Sequence, residues 1–222
     1  MRKLSLVKNN NHNKWFSRNK KHILNKMSDK YDEKIDDLIK TNNLKAKNIL
    51  ELGCSNGYKL IKYKELLKSK NCYGIDVSKK AILDGKKRYK GLKLLNYSSL
   101  EINKIKLKFD LVICGFFLYQ LDRDYIFQQF DLIYKKLNEN GLLLIRDFDP
   151  LFKHTNMDFN NKKLNTYKMS YDNFLIESGL FEMIYKIKYK TLTSDKKKFK
   201  SDKISYSLFR KINFKKSYPE NI

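Results

Sequence analysis

Between Asn48 and Lys59 the chain reads NILELGCSNGYK, and no other stretch limits the possible folds as much. Ile49, Leu50 and Leu52, with Glu51 among them, give a short buried strand. Gly53-Cys54-Ser55-Asn56-Gly57 gives a tight turn, and Leu60, Tyr63 and Leu67 follow at helical spacing. Glycine takes positive φ at no steric cost and lets a ligand come close to the backbone. The first N–H groups of the following helix point into the same space. Glu51 at the strand end disfavours a phosphate there and favours a cationic group. The spacing Gly-x-x-x-Gly also fits the dinucleotide fingerprint Gly-x-Gly-x-x-Gly poorly. The plain alternative is a helix-packing turn without a ligand.

A second strand, Cys72–Ile75, ends at Asp76, 19 residues after Gly57, and Val77-Ser78 opens the next helix with Ser78 as its cap. A carboxylate at this place in a β-α-β unit accepts hydrogen bonds from ribose hydroxyls. A third strand, Leu92–Leu95, leads into Tyr97, Ser98 and Ser99. The next strand, Phe109–Cys114, opens the run FDLVICGFFLYQLDRDYIFQQFDLIYKKLNENGLLLIRDFDP. Within it Ile126, Phe130, Ile133 and Leu137 repeat as one face of a helix that begins at Asp122 or Asp124 and stops at Gly141.

The glycine turn resembles motif I of the class I S-adenosylmethionine-dependent methyltransferases, with Ser55 at the middle glycine. The run from Phe109 resembles a continuous block of the methyltransferase-11-like members. The resemblance spans about 45–150 and more loosely continues to 212. It implies an α/β, doubly wound, mostly parallel seven-stranded sheet of Rossmann-like methyltransferase type, closed by an antiparallel C-terminal strand pair. That pair falls on Phe181–Lys190 and Lys203–Ile212, joined by a basic turn at Ser194–Lys200. It implies S-adenosyl-L-methionine as cofactor, held by Glu51, Gly53, Cys54, Ser55 and Gly57 at the methionine end and by Asp76 and Val77 at the ribose. Tyr97, Ser98 and Ser99 fall to the adenine, where the family's acidic residue is missing. Cys114, Gly115 and Phe116 line the methyl path, and Tyr119 faces the substrate. The loop lacks an Asn-Pro-Pro-Tyr and a Pro-Cys or Thr-Cys pair, so amino groups of adenine or glutamine and pyrimidine carbons are disfavoured as acceptors.

The strand from Leu142 to Ile145 runs into Arg146-Asp147, and residues 150–168 read as a long loop suited to a substrate lid. Asp147 and His154 are the candidate general bases. Residues 1–45 read as a polar lead followed by a capping helix from Ser28, and 46–222 as the methyltransferase domain. Trp15 and Arg18 in the lead are candidate cofactor-lid residues.

The formal net charge of +24 invites a nucleic-acid partner, but only six of 48 basic residues are Arg. Nucleic-acid surfaces favour Arg, and Lys with abundant Asn, Ile and Tyr is what an A/T-rich coding sequence writes. The three cysteines, Cys54, Cys72 and Cys114, lack CxxC spacing, so neither a zinc site nor a disulfide framework is expected. No apolar run reaches membrane-spanning length and the N-terminus has no apolar signal core, which points to the cytoplasm. The expected reaction is methyl transfer to a small-molecule or sugar hydroxyl, or an amine. An RNA methyltransferase and a non-catalytic binding subunit of the same fold are the alternatives.

Overall fold

The computed structural model describes residues 10–25, 32–158, 161–190 and 203–213. The chain is mixed α/β. Seven strands hydrogen-bond in the order β3-β2-β1-β4-β5-β9-β8, where β1 is Asn48–Leu52, β2 Asn71–Ile75, β3 Lys93–Leu95, β4 Phe109–Gly115, β5 Leu137–Phe148, β8 Phe181–Lys190 and β9 Lys203–Lys211. The sheet is mostly parallel, with β9 antiparallel to both β5 and β8. The sheet class and the closing strand pair thus agree with the sequence; its basic turn lies outside the described residues. The chain divides into two compact units, 1–110 and 111–222.

In the first unit, β1 pairs in register with β2 from Asn48↔Asn71 to Leu52↔Ile75. Ile49, Leu50 and Leu52 are completely buried, as an apolar parallel strand requires. The Asp110 carboxylate accepts from the N–H groups of Lys47 and Asn48, both at 2.9 Å, which fixes where β1 begins. Helix α2 (Asp32–Thr41) buries Ile35, Leu38 and Ile39, the stripe the spacing predicts. Its expected cap, Ser28, lies outside the described residues. Helix α3 (Leu60–Leu66) follows the glycine turn, and α4 (Lys79–Arg88) starts at Ser78, whose hydroxyl accepts from the N–H of Ala81.

Part of the polar lead forms a helix, α1 (Asn10–Asn25). Phe16 and Ile23, seven residues apart and so on one face, are 3% and 5% exposed and pack with Ala81 of α4. Trp15 and Arg18, proposed from sequence as a cofactor lid, point outward, with Trp15 39% exposed.

In the second unit, α5 (Ile126–Lys136) buries Phe130 and Ile133. The sequence stops this helix at Gly141; the structure stops it at Lys136, because Leu137 is already extended and opens β5. Asn140 has φ 59°, and a Cβ on Gly141 would lie 2.8 Å from the Asn138 carbonyl oxygen, so the glycine serves a tight bend inside the strand. Asp122 caps the 3₁₀ turn Arg123–Tyr125 just before α5. The stretch 150–168, expected as a long loop, holds regular structure. Residues His154–Asp158 (β6) and Asn161–Lys168 (β7) form an antiparallel two-stranded sheet, paired from His154↔Lys168 to Asp158↔Asn161. Backbone pairing satisfies groups that a bare loop would have to leave to water. A short helix, α6 (Asp172–Ile176), precedes Gly179, whose φ of 69° turns the chain into β8.

Candidate active site

In the first unit, the candidate residues lie at three consecutive strand ends. The chain leaves β1 through a turn in which Gly53, Ser55 and Gly57 all have positive φ, at 67°, 54° and 83°. For Ser55 this backbone is costly, and a specific bond holds it: the Ser55 N–H donates to Oδ2 of Asp76 at 2.8 Å. Oδ1 of the same carboxylate accepts from the Ser78 N–H at 2.7 Å. Asp76 therefore ties the glycine turn to the start of α4. Burial pushes its carboxyl up to about 6, against the lowering effect of the Ser78 and Ser55 N–H groups.

The packing under this turn is close. A Cβ on Gly85 of α4 would lie 2.2 Å from the carbonyl oxygen of Asn56, and a Cβ on Gly74 would lie 2.7 Å from Sγ of Cys54. Gly57 is likewise closed in, since a Cβ there would meet Cδ1 of Leu92 at 2.9 Å. Its absent side chain thus serves packing as well as the turn. Asn56 is buried and donates to Oδ2 of Asp84 at 2.9 Å. Cys54 turns its thiol into the core at 2% exposure. Burial and then the charges of Asp76 and Glu51 push that thiol well above its ordinary value, so it stays protonated. Glu51 is 3% exposed. Ser55 is 8% exposed, and its buried hydroxyl is without a hydrogen-bond partner among the described residues. An orphaned buried hydroxyl on a positive-φ turn, beside a held carboxylate, fits a polar ligand such as the amino-acid part of S-adenosylmethionine.

Val77 is partly exposed beside Asp76, whose carbonyl oxygen accepts from Nδ2 of Asn96 at 2.9 Å. Tyr97 is partly exposed, with the Lys104 ammonium 5.2 Å from its ring centre. Ser98 and Glu101 form a capping box on the 3₁₀ helix Ser99–Lys104, which commits the Ser98 hydroxyl to backbone, and Ser99 is buried. Of the three adenine candidates, Tyr97 and Ser98 are partly exposed and Ser99 is buried.

The second unit builds around the loop after β4. Cys114 is completely buried, and Phe116 has φ 52°, an outlier for an aromatic residue. Two contacts hold it. Its N–H donates to the Arg146 carbonyl oxygen at 2.7 Å, and its ring lies 4.9 Å from the Arg146 guanidinium. Phe116, Tyr119 and Phe148 pack edge to face, with centroids 5.5 Å apart for Phe116–Phe148 and 5.0 Å for Tyr119–Phe148. The buried ammonium of Lys168 lies 4.1 Å from the Phe148 ring centre.

Asp147 is 1% exposed; one oxygen accepts from the Tyr119 N–H at 3.1 Å and the other from the Phe148 N–H at 2.8 Å. Burial pushes it up to about 7, opposed by the N–H groups of Phe148, Tyr119 and Leu118 and by the charge of Arg123. Arg123 donates to the carbonyl oxygens of Leu118 and Leu121 and lies 4.8 Å from the Tyr167 ring. Nδ1 of His154 is 3.0 Å from the Phe152 carbonyl oxygen, which can only accept, so Nδ1 carries the hydrogen and Nε2 is the basic nitrogen. Arg123, Phe148, Tyr167 and Lys168 were not singled out by sequence. Only Phe148, beside Asp147 in a strand-end segment, carried a positional signal.

A family model described as "Methyltransferase domain" matches residues 43–206. The N-methyltransferase NodS of Bradyrhizobium japonicum WM9, solved with S-adenosyl-L-homocysteine, superposes with a TM-score of 0.62 at 16% identity, covering 91% of this chain and 100% of that one. An S-adenosylmethionine-dependent methyltransferase of Clostridium acetobutylicum gives 0.59 at 19% identity over 89% of this chain and 99% of that one. The 1,6-didemethyltoxoflavin-N1-methyltransferase of Burkholderia thailandensis gives 0.62 at 12% identity over 79% and 75%. In sequence, an uncharacterised protein of Rickettsia prowazekii (strain Madrid E) is 28% identical over 107 residues, 46% of this chain, and the match spans 43% of that curated relative's length. With more than half its length matched, and with the fold and turn described above, the chain belongs to the methyltransferase-domain family of S-adenosylmethionine-dependent enzymes.

Proposed function

We propose that the protein transfers the methyl group of S-adenosylmethionine to a small-molecule acceptor, at a hydroxyl or an amine. The observation that carries the cofactor half is Asp76, held by two backbone N–H groups beside the unpartnered hydroxyl of Ser55. The cofactor supplies an electrophilic methyl on a sulfonium, so the chain needs mainly to position and dry the reactants. Glu51, Gly53, Ser55 and Gly57 hold the methionine end, Asp76 with Val77 the ribose, and Tyr97 with Ser98 and Ser99 the adenine. Cys54 shapes the turn from beneath.

Cys114, Gly115 and Phe116 line the methyl path. The Phe116–Tyr119–Phe148 cluster supports a compact, partly apolar acceptor that packs against rings. Where the acceptor must lose a proton, Asp147 at about 7 is well matched to the task, and Nε2 of His154 is the second candidate. Three free, buried cysteines suit a reducing compartment, and we place the activity in the cytoplasm. Methyl-labelled S-adenosylmethionine is incubated with the protein and separate metabolite and RNA fractions of a cell extract. Label entering the metabolite fraction is expected; label entering only RNA contradicts the acceptor class.

A further inference from the structure

Net charge is a sum over the chain, but the structure sorts it by where the acids lie. Helix α1 carries four Lys or Arg and no acid; α4 carries five and a single acid, Asp84. Helix α2, in the same unit, carries four acids and two lysines. A nucleotide bias in the gene accounts for lysine in all three helices, but not for the lack of acids in α1 and the single acid in α4.

The two basic helices lie side by side. Oδ1 of Asn13 accepts from the Ser78 hydroxyl and the Lys80 N–H at the start of α4, and Lys20 pairs with Asp84 in its middle at 2.9 Å. Asp84 also pairs with Arg88 at 2.9 Å, so the one acid of the pair is spent on two cations. On α1, Lys14, Arg18 and Lys21 remain at the surface. On α4, Lys79, Lys80, Lys86 and Lys87 do the same. Among the described residues none of these seven has an acidic partner within salt-bridge distance. Trp15 sits among the α1 cations, 39% exposed, and Leu83 is exposed on α4.

We infer that the α1–α4 pair is a docking surface for nucleic acid, in which the cations neutralise backbone phosphates and Trp15 stacks on a base. Unpaired cations with an interleaved aromatic are the recognition set for a single strand. A membrane-surface helix needs an apolar stripe turned outward, whereas α1 turns Phe16 and Ile23 inward against Ala81. This inference goes beyond the acceptor reading and stands apart from it: a protein that methylates a metabolite and docks on RNA satisfies both.

Trp15 is the chain's one tryptophan, so its emission reports on the surface directly. The full chain is titrated with a fluorescein-labelled single-stranded RNA, following anisotropy, and with unlabelled RNA, following Trp15 emission. Two variants with equal charge change are compared: Lys14→Glu/Arg18→Glu/Lys21→Glu on the surface, and Lys45→Glu/Lys106→Glu/Lys108→Glu, also exposed, elsewhere in the same unit. Expected are quenching of Trp15, a loss of about tenfold or more in the surface variant, and a salt slope smaller by about 2 for three lost phosphate contacts. The control stays within about twofold of wild type. Circular dichroism and S-adenosylhomocysteine binding check folding. If the α1 variant fails to fold, Lys79→Glu/Lys86→Glu/Lys87→Glu replaces it. Equal losses in the two variants, unquenched Trp15, or surface-dependent binding to phosphatidylserine vesicles without RNA binding overturns the inference.

Discussion

Two carboxylates with opposite duties set the behaviour at the scale of single residues. In the role proposed for it, Asp76 accepts from ribose hydroxyls as a carboxylate, and burial pushes it up to about 6 in the folded chain. Affinity for S-adenosylhomocysteine is therefore flat well above that pH and falls by up to about tenfold per unit below it. Calorimetry across that range checks this. Asp147 shapes the loop through the N–H groups of Tyr119 and Phe148. Its folded value of about 7 lies above the unfolded one, so the native state holds the extra proton between the two. This group's contribution to stability is accordingly fully favourable at low pH and declines as pH rises to 7, by at most about 1.4 kcal/mol per unit. In Asp147→Asn that decline shrinks, while the variant is less stable overall because an amide hydrogen faces a backbone donor. Urea denaturation at several pH values reads both effects. If Asp147 is also the base, kcat falls in Asp147→Asn and the acid limb of its pH profile disappears; if Nε2 of His154 is, kcat falls in His154→Gln instead.

At the scale of elements, the glycine turn depends on how closely α4 approaches it. Gly85→Ala places a methyl 2.2 Å from the Asn56 carbonyl oxygen, a backbone atom that cannot swing away. It should destabilise by about 1–3 kcal/mol or more and weaken cofactor binding with it. Gly91→Ala meets only the flexible end of Lys64 at 3.4 Å, and stays within about 0.5 kcal/mol of wild type. Thermal denaturation of the two variants separates close packing from a general intolerance of alanine. A second element-scale feature is the cluster at the end of β5. Asp149, 2% exposed, pairs with Lys186 at 2.7 Å and Lys188 at 3.1 Å, and so ties that strand end to β8. Asp149→Ala leaves two part-buried ammoniums against one remaining carboxylate, Asp172, and should cost about 3 kcal/mol in urea denaturation.

At the scale of the whole molecule, what was legible in the sequence follows from how local each signal was. The strand–turn–helix at 48–66, the Ser78 cap and the α5 stripe are set by residues within a few positions, and the structure has them. The α1 helix was hidden because its apolar face holds only Phe16 and Ile23 in a polar stretch, and its partner, Ala81, is 58 residues or more away in sequence. The β6–β7 hairpin was hidden because Asn-rich strands carry no apolar alternation. Gly141 misled because a glycine that stops a helix and one that bends a strand read alike. In the site, Asp76 was found by position, but its bond to Ser55 was not. Arg123 and Lys168 act through ring faces that no spacing rule reports. Net charge, being a sum over the chain, could not show that acids are missing from α1 and nearly so from α4.

The central claim is that the turn at 53–57 and Asp76 hold S-adenosylmethionine, and calorimetry of S-adenosylmethionine and S-adenosylhomocysteine with wild type and Asp76→Ala tests it most directly. Binding in the micromolar range, about −8 kcal/mol, that collapses in a variant still folded by circular dichroism is the predicted result. No binding by the wild type, or equal binding by both proteins, would contradict it.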